Sequence, residues 1–134
     1  SYANIGLETE VLGASPERLI SLLFPPAVAE DVDRQFGEVV AAARSTLSPE
    51  ALRAQEAAME AWHRDELPRR GGADPPPTLV LHGDLDEVIP SANADPLAGR
   101  WPGARVELFA GCGHAPMAQE PQRAVDLIVD HLAG

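Results

Sequence analysis

The chain is poor in several residue types, and each shortage narrows its class. It has one cysteine among 134 residues, Cys112, which excludes a disulfide framework within one chain. It has no lysine, and its ten arginines stand against 21 acidic residues, for a formal net charge of −11. That acidity argues against a nucleic-acid partner, whose phosphates it would repel. Only 4% of the residues are aromatic, so the core must consist mainly of Leu, Val, Ile and Ala.

Long apolar runs are also missing. No stretch approaches the ~18 apolar residues that a membrane helix needs, and the first residues lack the basic and apolar regions of a secretory leader. We therefore expect a cytoplasmic protein with no membrane partner.

What the chain does have divides into two parts of different character. Residues 1–67 contain helix-forming segments, and residues 78–134 alternate strands with helices. Between them, residues 68–77 are rich in Pro and Gly, which break both helix and sheet, and this composition predicts a hinge. The expected fold class is therefore α/β with an added helical segment.

Helix-start signals mark the first part. Ser15-Pro16 is typical of an N-cap followed by the first helical residue, and Ser48-Pro49-Glu50 begins another helix. Between them, a helix is predicted over about 29–44. Its apolar residues recur on one face, as expected for an amphipathic helix: Val32, Phe36, Val39, Val40 and Ala43.

The second part contains two predicted strands, 78–82 and 105–109. The first is almost continuously apolar, which is typical of a parallel strand buried on both faces. A last helix starts at Pro121, and 91–101 is ambiguous because Pro96 would break a helix interior. The last helix is predicted to bury one stripe of apolar residues: Ala124, Val125, Ile128, Val129 and Leu132.

Each predicted strand is followed by a loop with residues able to do chemistry, 83–90 and 111–116. In open α/β sheets, ligands bind at this edge. A carboxylate on the first loop can accept the Nδ1 proton of His114, framed by glycines on the second, and so stabilise the imidazolium that forms during proton transfer. Asp84 and Asp86 also fit a plain polar turn, and the spacing lacks the glycine and glutamate of a calcium loop, so no metal is expected.

Two other residues near these loops have plainer interpretations. Cys112 precedes His114 by two residues, which invites a Cys–His pair, but a buried and inert thiol is favoured. His82 is expected to end its strand and to pack or hydrogen-bond there.

The runs Pro77-Thr78-Leu79-Val80-Leu81-His82-Gly83-Asp84-Leu85-Asp86 and Gly111-Cys112-Gly113-His114 resemble the acid and histidine loops of the α/β-hydrolase superfamily. The resemblance implies that Asp86 is the catalytic acid and His114 the catalytic histidine, in the family's order and 28 residues apart. The helical part resembles the cap that many members insert before the acid strand. The implied fold is thus a cap segment plus the last parallel strands and helices of a hydrolase sheet.

The resemblance also implies a serine-type hydrolase of an ester, lactone or related small carbonyl substrate, with no cofactor. Five residues are predicted to bind the substrate, although packing within the cap is an alternative for the aromatic residues and methionine: Phe24, Phe36, Met59, Trp62 and Val88.

The nucleophile motif Gly-x-Ser-x-Gly does not occur in these 134 residues, so the nucleophile is expected outside them. The alternative is a degenerate or truncated relative that is catalytically inactive and acts by association. In either case, we expect the chain to form a homodimer or to associate with the missing half of the fold, because two strands rarely make a stable sheet.

Overall fold

The computed structural model describes residues 14–64 and 76–134, with the backbone alone described for residues 62–64. The predicted hinge therefore lies almost entirely outside the described residues. Within the described ranges, no helix has both the length and the apolar character that a membrane crossing requires.

Three helices form the first part, and the first and the third begin at the predicted signals. Helix α1 spans Pro16–Leu23, with the Ser15 side chain accepting a hydrogen bond from the backbone of Arg18 at 3.3 Å. Helix α2 spans Pro26–Ser45 and begins three residues before the predicted start, because proline is compatible with the first helical position. Helix α3 spans Pro49–Arg64.

The second part is a parallel β–α–β unit followed by helices. Strand β1, Leu79–Gly83, pairs in parallel with strand β2, Arg105–Phe109, and these two strands form the sheet in the described part of the chain. The segment between them, ambiguous in sequence, forms a 3₁₀ turn at Ser91–Asn93 and a short helix α4 at Ala94–Ala98. After β2 come α5, Pro116–Gln119, and α6, Pro121–Ala133.

Two small clusters of buried residues hold these elements together. One joins α1 to the loop after β1 through Leu22 and Val88, with Ala14 beside them. The other joins α6 to the strands through Phe109, which is fully buried, and Ala124. The first cluster brings the helical segment directly against a loop that the sequence singled out for its chemistry.

The predicted buried stripe of α6 was wrong for most of its residues. Ala124 is buried, but the other four side chains are 42–78% exposed: Val125, Ile128, Val129 and Leu132. Helix α6 instead meets the strands through Ala124 and the partly buried Leu127. The apolar face of α6 is wide, and the sheet of two strands is too narrow to cover all of it.

Helix α2 shows the same departure. None of its residues is buried, and Phe36 and Val39 are 52% and 65% exposed. Its periodicity correctly predicted a helix, but not a packed face, because periodicity specifies only where apolar side chains point.

Candidate active site

The loops after β1 and β2 are joined by hydrogen bonds at the carboxyl edge of the sheet. The backbone N–H groups of Asp84 and Leu85 donate to the carbonyls of Phe109 and Cys112 at 3.1 and 2.9 Å. In return, the Asp84 carboxylate accepts from the backbone N–H of Gly111 at 2.7 Å. Asp84 is therefore an exposed link between the two loops.

Gly83 allows the two loops to approach this closely. A Cβ atom at this position would lie 2.1 Å from the carbonyl oxygen of Gly113 and 2.3 Å from that of Cys112. Both obstacles are backbone atoms, so a larger residue at position 83 requires one loop to move.

The loop after β2, residues 111–116, is called the histidine loop, and two further contacts hold it in place. The backbone N–H of His114 donates to the carbonyl of Leu23 at 2.9 Å, at the end of α1, and that of Gly113 donates to the Gln119 side chain at 2.8 Å. The end of α1 therefore contributes to the position of His114.

Asp86 lies at the centre of the site, with both carboxylate oxygens occupied. Oδ1 accepts hydrogen bonds from the backbone N–H groups of Val88 and Ile89, each at 2.9 Å. Oδ2 lies 2.9 Å from Nδ1 of His114. The Asp86 side chain is 4% exposed, whereas that of His114 is 34% exposed. A buried carboxylate thus holds one nitrogen of a ring that still reaches the surface.

These contacts keep Asp86 ionised. Burial alone raises the pKa of Asp86, but hydrogen bonds from His114 and the N–H of Ile89, with the nearby His114 and His82 imidazoles, outweigh burial and hold the pKa below its ordinary 3.8. Since a neutral His114 that donates Nδ1–H to this carboxylate carries no proton on Nε2, the geometry makes Nε2 the basic atom.

His82 is a member of this cluster whose contact with Asp86 sequence reasoning missed. Its Nε2 lies 2.8 Å from the carbonyl oxygen of Ile89 and 3.2 Å from Oδ2 of Asp86. The hydrogen bond agrees with the prediction for this residue. The signal for the second contact was the four-residue spacing between His82 and Asp86, which has meaning only once the loop turns back on the strand.

Cys112 is turned away from proton-transfer chemistry. Its buried thiol donates to the carboxylate of Glu120 at a sulfur–oxygen distance of 3.6 Å. Burial raises the pKa of the Cys112 thiol, and Glu120 raises it further. A thiol that resists ionisation is a poor nucleophile, in keeping with the inert interpretation.

The residues predicted to bind substrate do not all lie together. Phe24 is half-buried, and its Cα is 3.3 Å from where a Cβ of Gly113 would lie, so it borders the histidine loop. Val88 packs in the cluster with Leu22, and Phe36 is largely exposed on α2. Met59 is half-buried on α3, and the Trp62 side chain lies outside the described residues.

Among residues 14–64 and 76–134, no three His, Cys, Asp or Glu side chains are grouped in a way that could hold a metal ion.

Comparison with known proteins supports the same fold. A family model described as alpha/beta hydrolase fold matches residues 12–121. Over 58 residues, the chain is 41% identical to a pimeloyl-[acyl-carrier protein] methyl ester esterase of Aromatoleum aromaticum, covering 43% of this chain and 23% of that protein. Over 57 residues, it is 37% identical to the monoacylglycerol lipase ABHD6 of Bos taurus, covering 42% of this chain and 17% of that protein.

A solved structure shows the same fold over nearly the whole chain. It is MGS-M2, an alpha/beta hydrolase enzyme from a Medee basin deep-sea metagenome library, with a TM-score of 0.66 at 16% identity. The match covers 94% of this chain and 48% of that one. The matched region thus spans less than a quarter of these curated relatives and about half of the solved structure.

Proposed function

Because the chain belongs to the family with the alpha/beta hydrolase fold, we propose that it supplies the acid and the histidine of a serine-type carboxylic ester hydrolase. The observation that carries the proposal is the 2.9 Å contact between His114 Nδ1 and the buried Asp86 carboxylate. It lies where two parallel strands end, the edge at which such sheets bind ligands. The substrate class follows from the names of the two relatives, an ester esterase and a monoacylglycerol lipase.

The proposed mechanism uses the two ring nitrogens of His114 differently. Nε2 takes the proton from a serine hydroxyl as its oxygen attacks the carbonyl carbon of the ester. The resulting imidazolium is stabilised by Asp86 through Nδ1, and then Nε2 returns its proton to the leaving alkoxide. Water then attacks the acyl-enzyme as Nε2 takes its proton. The serine oxygen leaves and regains a proton from Nε2, which releases the carboxylic acid.

The serine and the oxyanion donors of this proposal lie outside these 134 residues. Residues 1–67 act as the cap, and Phe24 has the best support as a substrate contact, since it borders the histidine loop. The other four residues remain predicted substrate contacts in this proposal: Phe36, Met59, Trp62 and Val88. The proposed protein is cytoplasmic and needs no cofactor.

Fluorophosphonate labelling followed by intact-mass analysis tests the proposal in the complete protein that contains this chain. We expect one serine adduct, formed much more slowly in the His114→Ala variant and at the normal rate in His131→Ala, a matched loss of one histidine. The isolated 134-residue chain should neither be labelled nor hydrolyse p-nitrophenyl acetate. Absence of an adduct in the complete protein would contradict the proposal and favour the non-catalytic, associating module.

A further inference from the structure

His82 occupies an unusual place for a residue of a strand. It is the fourth residue of β1, and its side chain is only 14% exposed. Its Nε2 lies 2.8 Å from the carbonyl oxygen of Ile89, seven residues further along the chain. Because a carbonyl oxygen can only accept, Nε2 of His82 must carry a proton, whether the ring is neutral or charged. The ring therefore closes the acid loop onto the strand that precedes it.

The same ring nitrogen also lies close to the carboxylate of Asp86. His82 Nε2 is 3.2 Å from Oδ2 of Asp86, the oxygen that meets Nδ1 of His114 at 2.9 Å. Oδ2 thus lies between two imidazoles, while Oδ1 is held by two backbone N–H groups. Three hydrogen bonds and the neighbouring His82 imidazole surround the buried carboxylate, which favours its ionised form.

We propose that His82 is a positioning residue for His114: by donating to the carbonyl of Ile89, its Nε2–H holds the acid loop (residues 83–90) closed and so keeps Asp86 Oδ2 opposite His114 Nδ1. The inference rests on the proposed function, in which His114 is the base. It adds a third side chain to the acid–histidine pair, one that acts through Asp86 and does not contact the reacting atoms. Support comes from the lowered pKa of Asp86, to which His82 contributes.

The plain alternative is that His82 only fills space at the end of β1. Two amide variants separate the possibilities. Glutamine places an N–H₂ group as many bonds from Cα as Nε2 of histidine, so His82→Gln can still donate to Ile89 and face Asp86. Asparagine is one methylene shorter and cannot reach, although its chemistry is the same. His82→Leu removes the donors while keeping an apolar side chain of comparable size.

The readout is the imidazole of His114, followed by ¹H–¹⁵N NMR in the complete protein at neutral pH. In the wild type we expect an Nδ1–H tautomer with a low-field proton that exchanges slowly. His82→Gln and the control His131→Gln should retain both features. His82→Asn and His82→Leu should lose the low-field proton and show a mixture of tautomers. In ester hydrolysis, kcat of His82→Asn should fall roughly 10- to 100-fold with KM nearly unchanged.

Two results overturn the inference. One is that glutamine and asparagine variants behave alike, whether both keep the His114 signal or both lose it. The other is that His82→Leu folds and keeps the Nδ1–H tautomer. If His82→Leu fails to fold, the amide pair decides, and loss of the signal in His82→Gln alone is sufficient to refute the inference. Because the NMR readout needs no nucleophile, failure of fluorophosphonate labelling would count against the proposed function and leave this test intact.

Discussion

Replacing Asp86 by asparagine removes a charge with almost no change in shape, and its effect follows from the three hydrogen-bond donors and the neighbouring His82 imidazole around the carboxylate. Oδ1 faces the N–H groups of Val88 and Ile89, and Oδ2 faces Nδ1 of His114 and Nε2 of His82. An amide has one oxygen and one N–H₂ group, so it can accept on only one side. The other side sets donors against donors.

The two orientations of the side-chain amide in Asp86→Asn differ in free energy. Turning the amide nitrogen toward the backbone leaves two buried N–H groups without an acceptor, at about 1–3 kcal/mol each. Turning it toward the histidines places the amide N–H₂ beside the protonated Nε2 of His82 and requires His114 to adopt its other tautomer, with Nδ1 accepting and Nε2 protonated. This orientation is preferred, and it gives up a charge-assisted bond and a favourable contact with His82. We expect a loss of roughly 1–3 kcal/mol in the free energy of unfolding.

The activity should fall by much more than the stability. With a proton on Nε2, His114 cannot accept another from a serine, and the same substitution in the reference Ser–His–Asp triad costs on the order of 10⁴-fold in turnover. That factor corresponds to about 5 kcal/mol in the barrier. The variant should therefore be folded and almost inactive.

The assay compares ester hydrolysis and chemical denaturation for Asp86→Asn and Asp84→Asn in the complete protein. Asp84 accepts one bond from Gly111, and an asparagine oxygen can accept the same bond, so this control should keep most of the activity. Near-normal turnover in Asp86→Asn, or a crippling effect of Asp84→Asn with Asp86→Asn silent, would refute the assignment of the acid.

The pH dependence of stability, the close backbone contact at Gly83 and the association of the isolated chain can each be measured. The folded-state pKa of Asp86 lies below 3.8, so its contribution to stability is full above that value and is lost as the pH falls through the folded-state pKa. The difference in unfolding free energy between wild type and Asp86→Asn should therefore narrow below about pH 4. A difference that does not change with pH would contradict this expectation. Gly83→Ala should lower the free energy of unfolding by about 3 kcal/mol or more in denaturant titrations, since its Cβ would lie 2.1 Å from the carbonyl oxygen of Gly113. Gly99→Ala is the control: its Cβ would have no contact under 3.4 Å, and its stability should differ little from that of the wild type. Sedimentation equilibrium of the isolated chain should show no stable compact monomer at 14.2 kDa. Leu132→Glu, on the exposed apolar face of α6, should weaken the association of the chain. A cooperatively unfolding monomer at micromolar concentration would disprove this expectation.

Local chemistry explains what the sequence could predict. Ser15-Pro16 and Ser48-Pro49 begin helices because capping and a fixed proline φ act within one turn. The strands at 79–83 and 105–109 were within one residue of prediction, because apolar β-rich runs bounded by Gly and Pro leave few alternatives. The contact between Asp86 and His114 was predicted from the resemblance of their two loops to those of the α/β-hydrolase superfamily, in which the acid precedes the histidine.

Tertiary structure decided how they meet and which surfaces are covered. The contact of His82 with Asp86 depends on a loop that turns back by seven residues to Ile89, and the link from His114 to Leu23 joins parts of the chain 91 residues apart. Such contacts arise from the closure of the chain in three dimensions, which no local pattern encodes. The apolar faces of α2 and α6 were predicted from periodicity, but most of their side chains are not buried. Periodicity determined which way their side chains point, but burial also requires a surface opposite, and the described two-stranded sheet provides too little of it.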